Sequence, residues 1–319
     1  MKFPFKVFII LVFIFICIFS SVTLYAGERV LLEVEDPVGD DYGPGTYKYP
    51  TNEIFQEEGL FDITSFSIID LGEKYEFKFS FHKLTDPWKS KYGFSLPLIQ
   101  IYIGNNYKNN LQNQNKDKTH AIKISSSTEL FKKGANIKLS PDYPWTRMIK
   151  ISGWWIRAYE VNDMDAEEKG FWNAEENPAD LDADIKVKNN IISLTVDKSS
   201  TGNLENAYFY VFVGGFDPFG PDHFRAVEGE ISSWSFADIT NDNLDYAPRV
   251  MDVILPTGKS QINYLSYYKN DYPEIIPIQI KAEKEQNYFV FIPIILIILI
   301  IIFVVIFVSN RKSSISNTK

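Results

Sequence analysis

An acidic, glycine-broken stretch near the start of the chain offers the clearest candidate for chemistry. It reads DPVGDDYGPGTYKYPT and spans residues 36–51. Ca²⁺ prefers six to eight oxygen ligands in flexible geometry, and carboxylates on glycine turns supply them. The predicted ligands are Asp36, Asp40, Asp41 and Asp62. A second interpretation stays open, because Asp side chains also cap turns by accepting backbone N–H groups, here with Lys48 or Arg225 as an ion partner.

Tryptophan side chains are the second candidate group. A sugar ring packs its flat C–H face on an indole while polar neighbours bind its hydroxyls. Of the six tryptophans, the predicted sugar contacts are Trp145, Trp155 and Trp172. Trp154 and Trp155 are neighbours in a predicted strand, so one should face the core and the other should not. The alternative places these tryptophans in the core.

The segment GGFDPFGPDHFR, residues 214–225, gathers charged groups in a loop after an apolar strand. We predict an ion pair between Asp222 and Arg225 that acts as a structural clasp and holds this loop against the acidic stretch. A binding site in the same loop is the alternative interpretation.

Signatures of catalysis are scarce. His82, His120 and His223 lie far apart, and no Gly-x-Ser-x-Gly elbow or His/Cys metal spacing occurs. Cys17 is the only cysteine. The chain is therefore predicted not to be an enzyme, although a carboxylate pair that hydrolyses glycosides stays an alternative.

The net charge of the chain limits which kinds of ligand it can bind. The net charge is −9 over 319 residues, which argues against nucleic acid as a ligand. Aromatic residues reach 15% of the chain, enough for a large core and for an exposed platform.

Both ends of the chain are apolar. Residues 1–26 have the basic start, apolar run and small-residue end of a signal peptide, with an uncleaved anchor as the alternative. Residues 289–308 have the length and apolarity of a membrane span. A stalk at 272–288 and a basic cytoplasmic tail at 309–319 flank this span. The predicted location is the cell membrane, as a single-pass protein with its bulk outside.

The elements between these ends read as strands. In residues 65–82, Tyr75, Phe77, Phe79 and Phe81 alternate with polar residues, the period of a half-buried strand. Residues 184–198 read as a hairpin that turns at Asn189-Asn190. Residues 207–215 form an apolar strand in which two non-polar sets alternate, Ala207, Phe209, Val211 and Val213 against Tyr208, Tyr210 and Phe212. Residues 27–271 are predicted to form an all-β domain, an antiparallel β-sandwich.

The opening motif also resembles a known family. DPVGDDYGPGTYKYPT, LTDPWKSKYGFSLPLIQIYI and VFVGGFDPFGPDHFRAV are similar to the C-terminal module of glucodextranase and to modules at the ends of secreted pullulanases and amylases. The resemblance runs from about Glu33 to Leu265 and implies a DOMON-like, non-catalytic β-sandwich. It also favours structural calcium at the acidic stretch and polysaccharide or the cell envelope as ligand.

Together these features predict a membrane-anchored surface module that binds an α-glucan or an envelope polysaccharide and assists a separate hydrolase or transporter. Two alternatives stay open. One is a structural, S-layer-associated protein-interaction domain, and the other is an orphan glycoside hydrolase.

Overall fold

The computed structural model describes residues 28–105, 134–160, 181–241 and 243–280. In this part of the chain, strands dominate and the two α-helices are single turns, α1 (Lys198–Thr201) and α2 (Gln261–Leu265). The strands are β1 (Arg29–Glu35), β2 (Ile63–Asp70), β3 (Lys74–Phe81), β4 (Pro97–Asn105), β5 (Lys138–Leu139), β6 (Arg147–Ile151), β7 (Ile156–Glu160), β8 (Ala183–Lys188), β9 (Ile191–Asp197), β10 (Ala207–Gly215), β11 (Val227–Glu228), β12 (Phe236–Ala237), β13 (Asp252–Ile254), β14 (Glu274–Ile275) and β15 (Ile278–Gln279). The prediction of a mostly β domain with few helices is confirmed.

Two antiparallel sheets form the body of the domain. The first has the order β1-β2-β3-β9-β8, and the second has the order β13-β10-β4-β6-β7 with β15 also paired to β10. Two short parallel pairs, β11 with β12 and β14 with β5, lie outside them. The central position of β4 matches its continuous apolar sequence.

The local sequence explains the hairpins of the first sheet. Asn189 and Asn190 have φ values of 52° and 61°, the positive values that a tight two-residue hairpin turn requires. Gly72 begins a turn where its own N–H is accepted by Asp70 at 2.9 Å. Phe77 and Phe79 of β3 are fully buried, as their alternation predicts.

The main core lies between the two sheets. Phe66 of the first sheet and Phe209 of the second bring their rings to 6.3 Å, so the sheets pack face to face as a sandwich. A second core covers the other face of the second sheet and includes Tyr102, Tyr210 and Phe212. All nine residues of β10 are therefore buried, one face in each core.

The folded domain extends into the predicted stalk. Strands β14 and β15 both lie within 272–288, and β15 pairs with β10. The Ile280 N–H also donates to the carbonyl of Ala207 at 3.0 Å. The start of the predicted stalk is thus part of the sandwich, and the boundary at 271 is corrected to at least 280.

The predicted signal segment, membrane span and tail fall outside the described residues. Across 28–105, 134–160, 181–241 and 243–280, no helix reaches the length and apolarity needed to cross a bilayer.

Candidate functional site

A cavity of about 670 Å³ borders the second core. Its volume falls within the range of small-ligand pockets. We call it the aromatic pocket, and the residues that line it are Trp88, Trp154, Trp155, Phe216, Asp217, Pro218, Phe219, Arg225 and Trp234. Asp217 is the one carboxylate among these described lining residues.

A sharp bend between β6 and β7 places two of the tryptophans. The Ser152 hydroxyl oxygen accepts the N–H groups of both Trp154 and Trp155 at 3.2 Å. A Cβ at Gly153 would lie 1.8 Å from the Phe94 carbonyl oxygen, so the close approach of these loops requires glycine there. Both tryptophans are half-buried and line the pocket. The predicted alternation is wrong, because the pair lies in a bend and not in a strand.

Ring contacts fix the tryptophans against their neighbours. The Trp154 ring stacks on Phe216 with centroids 4.9 Å apart, and the Trp88 ring centroid lies 6.1 Å from that of Trp154. Trp155 meets Phe216 edge-on at 6.1 Å. Because each indole has an aromatic neighbour, the pocket presents a preformed surface and not a set of free side chains.

Arg225 joins two walls of the pocket. Its guanidinium donates to the carbonyl of Phe216 at 2.7 Å and to the carbonyl of Trp234, and it lies 4.9 Å over the Phe55 ring. Burial lowers the pKa of Arg225, and the charge of Asp217 acts in the opposite direction. Arg225 therefore holds the segment with Trp234 beside the loop that begins at Phe216.

The predicted ion pair between Asp222 and Arg225 is corrected by this arrangement. In the described chain, Asp222 forms its ion pair with Lys150 of β6. Arg225 donates to backbone carbonyls instead. The chain turns at Asp222 and His223, both with positive φ, and this turn separates the Asp222 carboxylate from the Arg225 guanidinium. A clasp does exist, but it is made by two separate interactions.

The three predicted sugar contacts have different outcomes. Trp155 lines the aromatic pocket, and its role in binding stays a prediction. Trp145 is 2% exposed and packs edge-on against Tyr102 at 5.2 Å, so it is a core residue and not a ligand platform. Trp172 lies outside the described residues.

Five carboxylates converge at another place, which we call the acidic cluster: Asp36, Asp40, Asp41, Asp62 and Asp252. Asp36 follows β1 and Asp62 precedes β2, and these two strands pair with each other. Asp252 begins β13 of the second sheet and reaches the same place through its hydrogen bond from the Ile63 N–H. One carboxylate oxygen from each of Asp36, Asp40 and Asp252 lies within 4.8 Å of the others. Gly43, just after Asp41, has a φ of 57°, and a Cβ there would meet the Tyr47 ring at 2.5 Å. Its N–H donates to the carbonyl of Met251 at 2.9 Å, which holds the acidic stretch beside Asp252.

Some of these carboxylates cap backbone groups. Asp252 accepts the N–H of Ile63 at 2.7 Å, and Asp62 accepts the N–H of Gly39 at 2.7 Å. Asp41 accepts from the Tyr49 hydroxyl and from the Phe61 N–H. The capping interpretation of the sequence thus holds for Asp41, while the expected Lys48 or Arg225 partner is replaced by neutral donors.

Other oxygens of the cluster have no donor. Four buried oxygens lack any hydrogen-bond partner among the described residues, one each from Asp36, Asp40, Asp41 and Asp62. The one basic side chain in contact with the cluster in this part of the chain is His82, whose Nδ1 lies 3.3 Å from Asp62 and forms an ion pair only when the ring is protonated. Burial, together with the charges of neighbouring carboxylates, raises the pKa of Asp36 to about 8 and that of Asp40 to about 6.

This donor set fits a cation with oxygen ligands. Buried carboxylate oxygens without donors must bind either protons or a cation, because an uncompensated buried charge is unfavourable. Asp36, Asp40 and Asp252 would supply the first ligands of a Ca²⁺ ion, with Asp62 and Asp41 beside them.

Several residues of the two candidate sites are missing from the predicted ligand sets. Asp252 is the missing cluster member, and its signal is an acidic residue inside the apolar run VMDVIL. Trp88, Trp154 and Trp234 complete the pocket, yet nothing in their local sequence separates them from the core residue Trp145. Only the folding of distant loops brings them together.

Comparison with known families gives one finding. The family model described as the SLH-like C-terminal binding module of glucodextranase matches residues 31–277. The matched range contains both the aromatic pocket and the acidic cluster. No curated protein matches the chain significantly.

Proposed function

Because the chain belongs to the family of SLH-like C-terminal binding modules of glucodextranase, we propose that it binds polysaccharide at the aromatic pocket and does not catalyse a reaction there. The observation that carries this proposal is the convergence of four tryptophans on one open cavity. An α-glucan or an envelope polysaccharide is the proposed ligand.

Chemistry of the pocket favours a sugar ligand. Pyranose C–H faces pack on indoles, and a small number of polar groups then orient the hydroxyls. Trp234 is 50% exposed, so its ring is accessible to a polymer at the rim. Asp217 supplies an acceptor beside it. A purely structural module would bury its tryptophans, whereas here Trp234 is exposed and Trp88, Trp154 and Trp155 are only half-buried.

The same geometry favours binding over hydrolysis. Glycosidases use two carboxyl groups about 5–10 Å apart across the scissile bond. Asp217 is the single carboxylate among the described residues of the pocket. The acidic cluster does contain close carboxylates, but its oxygens are buried and converge on one point, as a cation site requires.

We also propose that Ca²⁺ occupies the acidic cluster as a structural ion. Its two positive charges would compensate the buried carboxylates, and its coordination would use the oxygens that lack donors. Such an ion would tie β1, β2 and β13 together at one edge of the sandwich.

The proposed setting is the cell surface. Residues 1–26 would direct export, and residues 289–308 would anchor the domain with its bulk outside. A module held close to the membrane in this way would keep a polysaccharide near a separate glycoside hydrolase or sugar transporter.

Retention of the purified full-length chain on immobilised starch, dextran and envelope polysaccharide tests the proposal. We expect retention on at least one matrix and its loss in a Trp154→Ala/Trp155→Ala variant. Tyr267→Ala is the matched control, because Tyr267 is an exposed aromatic residue outside the pocket. Passage of the wild-type chain through all three matrices would contradict the proposal.

A further inference from the structure

Behind the aromatic pocket lies a buried ion pair. Lys150 of β6 is 0% exposed and Asp222 is 3% exposed. The Lys150 ammonium donates to the Asp222 carboxylate and also to the backbone carbonyl of Asp222 at 3.1 Å. One side chain of the sheet therefore holds both the side chain and the backbone of the loop residue.

The sheet supports Asp222 from a second strand as well. The Gln100 amide of β4 donates to the other Asp222 oxygen at 3.3 Å. The Tyr102 hydroxyl in turn donates to Gln100 at 2.9 Å. Both carboxylate oxygens of Asp222 are thus bound by groups from the centre of the second sheet.

The loop that this pair holds carries much of the pocket. Phe216, Asp217, Pro218, Phe219 and Arg225 all belong to it, five of the nine lining residues. At its turn, Asp222 and His223 have φ values of 50° and 61°, a conformation that residues other than glycine seldom adopt. The His223 ring then lies 5.2 Å from Trp155. A relaxed turn would move this ring and the loop's aromatic residues.

We infer that Lys150 and Asp222 are positioning residues that hold the loop of residues 216–225 in the conformation that forms the aromatic pocket. The inference rests on the proposed function for its role in binding. Buried ion pairs contribute little net stability compared with apolar replacements of similar volume, and in some proteins they serve conformational specificity instead. A neutral, apolar residue in place of Lys150 would lose the hydrogen bond to the backbone carbonyl of Asp222.

A pair of variants separates positioning from stability. Lys150→Met alone leaves a buried carboxylate without its partner and should lower the melting temperature. Adding Asp222→Asn removes that charge, and Asn tolerates positive φ. We expect the double variant to melt near the wild type. It should bind whichever of starch, dextran and envelope polysaccharide retains the wild type at least about 10-fold more weakly, as a displaced aromatic contact implies.

A second readout needs no glycan. The full-length chain would be labelled with 5-fluorotryptophan, and the Trp155 resonance would be assigned with a Trp155→Phe variant. We expect this resonance to shift in the Lys150→Met/Asp222→Asn variant. It should stay unchanged in the control Lys186→Met/Asp184→Asn, which removes an exposed ion pair on β8.

The outcomes are distinguishable. A double variant with wild-type affinity for the retaining polysaccharide and an unchanged Trp155 resonance would overturn the inference. If the wild-type chain binds no starch, dextran or envelope polysaccharide, the proposed function fails, and the Trp155 resonance still decides whether the ion pair positions the loop.

Discussion

The acidic cluster and the aromatic pocket are built in opposite ways. Three of the five cluster carboxylates come from one short stretch, Asp36 to Asp41, whereas the pocket collects residues from four separate segments. The cluster is buried and rich in charge, and the pocket is open and largely aromatic. The difference is consistent with the two proposed roles, in which the cluster holds an edge of the fold together and the pocket binds the ligand.

Of the changes made within these two regions, removal of the proposed Ca²⁺ should have the largest effect, and it should act on the cluster alone. Chelation of the purified chain is expected to lower its melting temperature by about 5–10 °C, because an ion present at 100 times its dissociation constant adds about 2.7 kcal/mol. Thermal unfolding with and without EDTA measures this.

The matched control for chelation is Asp36→Asn/Asp40→Asn, which should melt at the same temperature with and without EDTA. A wild-type melting temperature that is the same with and without EDTA would contradict the calcium proposal. Protons, and not a cation, would then neutralise the buried carboxylates of the cluster.

Truncation of a tryptophan in the pocket should give the second largest effect, and this effect should be on the affinity for polysaccharide. Trp154→Ala removes the ring that stacks on Phe216 at 4.9 Å, so we expect polysaccharide affinity to fall about 10- to 100-fold. Affinity electrophoresis measures the loss. Trp145→Ala is the contrast, because a buried Trp truncation costs about 3–5 kcal/mol of stability.

Independence of the two regions is checked in the same Trp154→Ala variant. Its calcium-dependent shift in melting temperature should equal that of the wild type. A reduced shift would show that the pocket and the cluster are energetically coupled.

The pocket should also respond to pH through His223. Burial and the neighbouring Lys150 charge lower the pKa of His223 below 6.5, so the unfolded chain binds this proton more readily than the folded one. Its contribution to stability is present above pH 6.5 and is lost as the pH falls through the folded-state pKa.

Comparison with His223→Asn isolates this contribution, because Asn accepts the positive φ at this position. The difference in melting temperature between wild type and variant should become less favourable to the wild type from pH 7.5 to 5. A difference in melting temperature that stays constant over this pH range would refute the role of His223.

The acidic cluster of the metal-free protein should show the opposite pH dependence of stability. Because the pKa values of Asp36 and Asp40 are raised in the folded state, their contribution to stability falls as the pH rises.

The smallest effect is expected at the rim. Phe219 is 96% exposed, so Phe219→Ala should change the melting temperature by no more than about 2 °C. Affinity should fall by a small factor, about 2- to 5-fold, if the ring touches the polymer only at its edge. Isothermal titration with the retained polysaccharide measures it, and a loss as large as that of Trp154→Ala would move the centre of the site to the rim.

Local patterns in the sequence predict much of the fold. The alternation of β3, the Asn189-Asn190 hairpin and the two-faced apolarity of β10 all depend on neighbouring residues, and all three are confirmed. The acidic stretch is recognisable for the same reason, since most of its carboxylates are close in the chain.

Features that depend on long-range packing escape the sequence. The bend at Gly153 exists because the chain passes close to Phe94, a contact that no local pattern encodes. Lys150 lies in the apolar strand MIKI and pairs with a residue 72 positions away. A charged residue inside an apolar strand is a usable signal, but its partner becomes visible only in the folded chain.

The burial of β10 on both faces has a consequence for biosynthesis. Its sequence AYFYVFVGG carries no charge, and such a segment is prone to aggregation while its edges are unpaired. One edge is completed by β4, made about a hundred residues earlier, but the other awaits β13 and β15. A chain truncated before residue 252 would expose this edge, so nascent or clipped forms of the domain should self-associate.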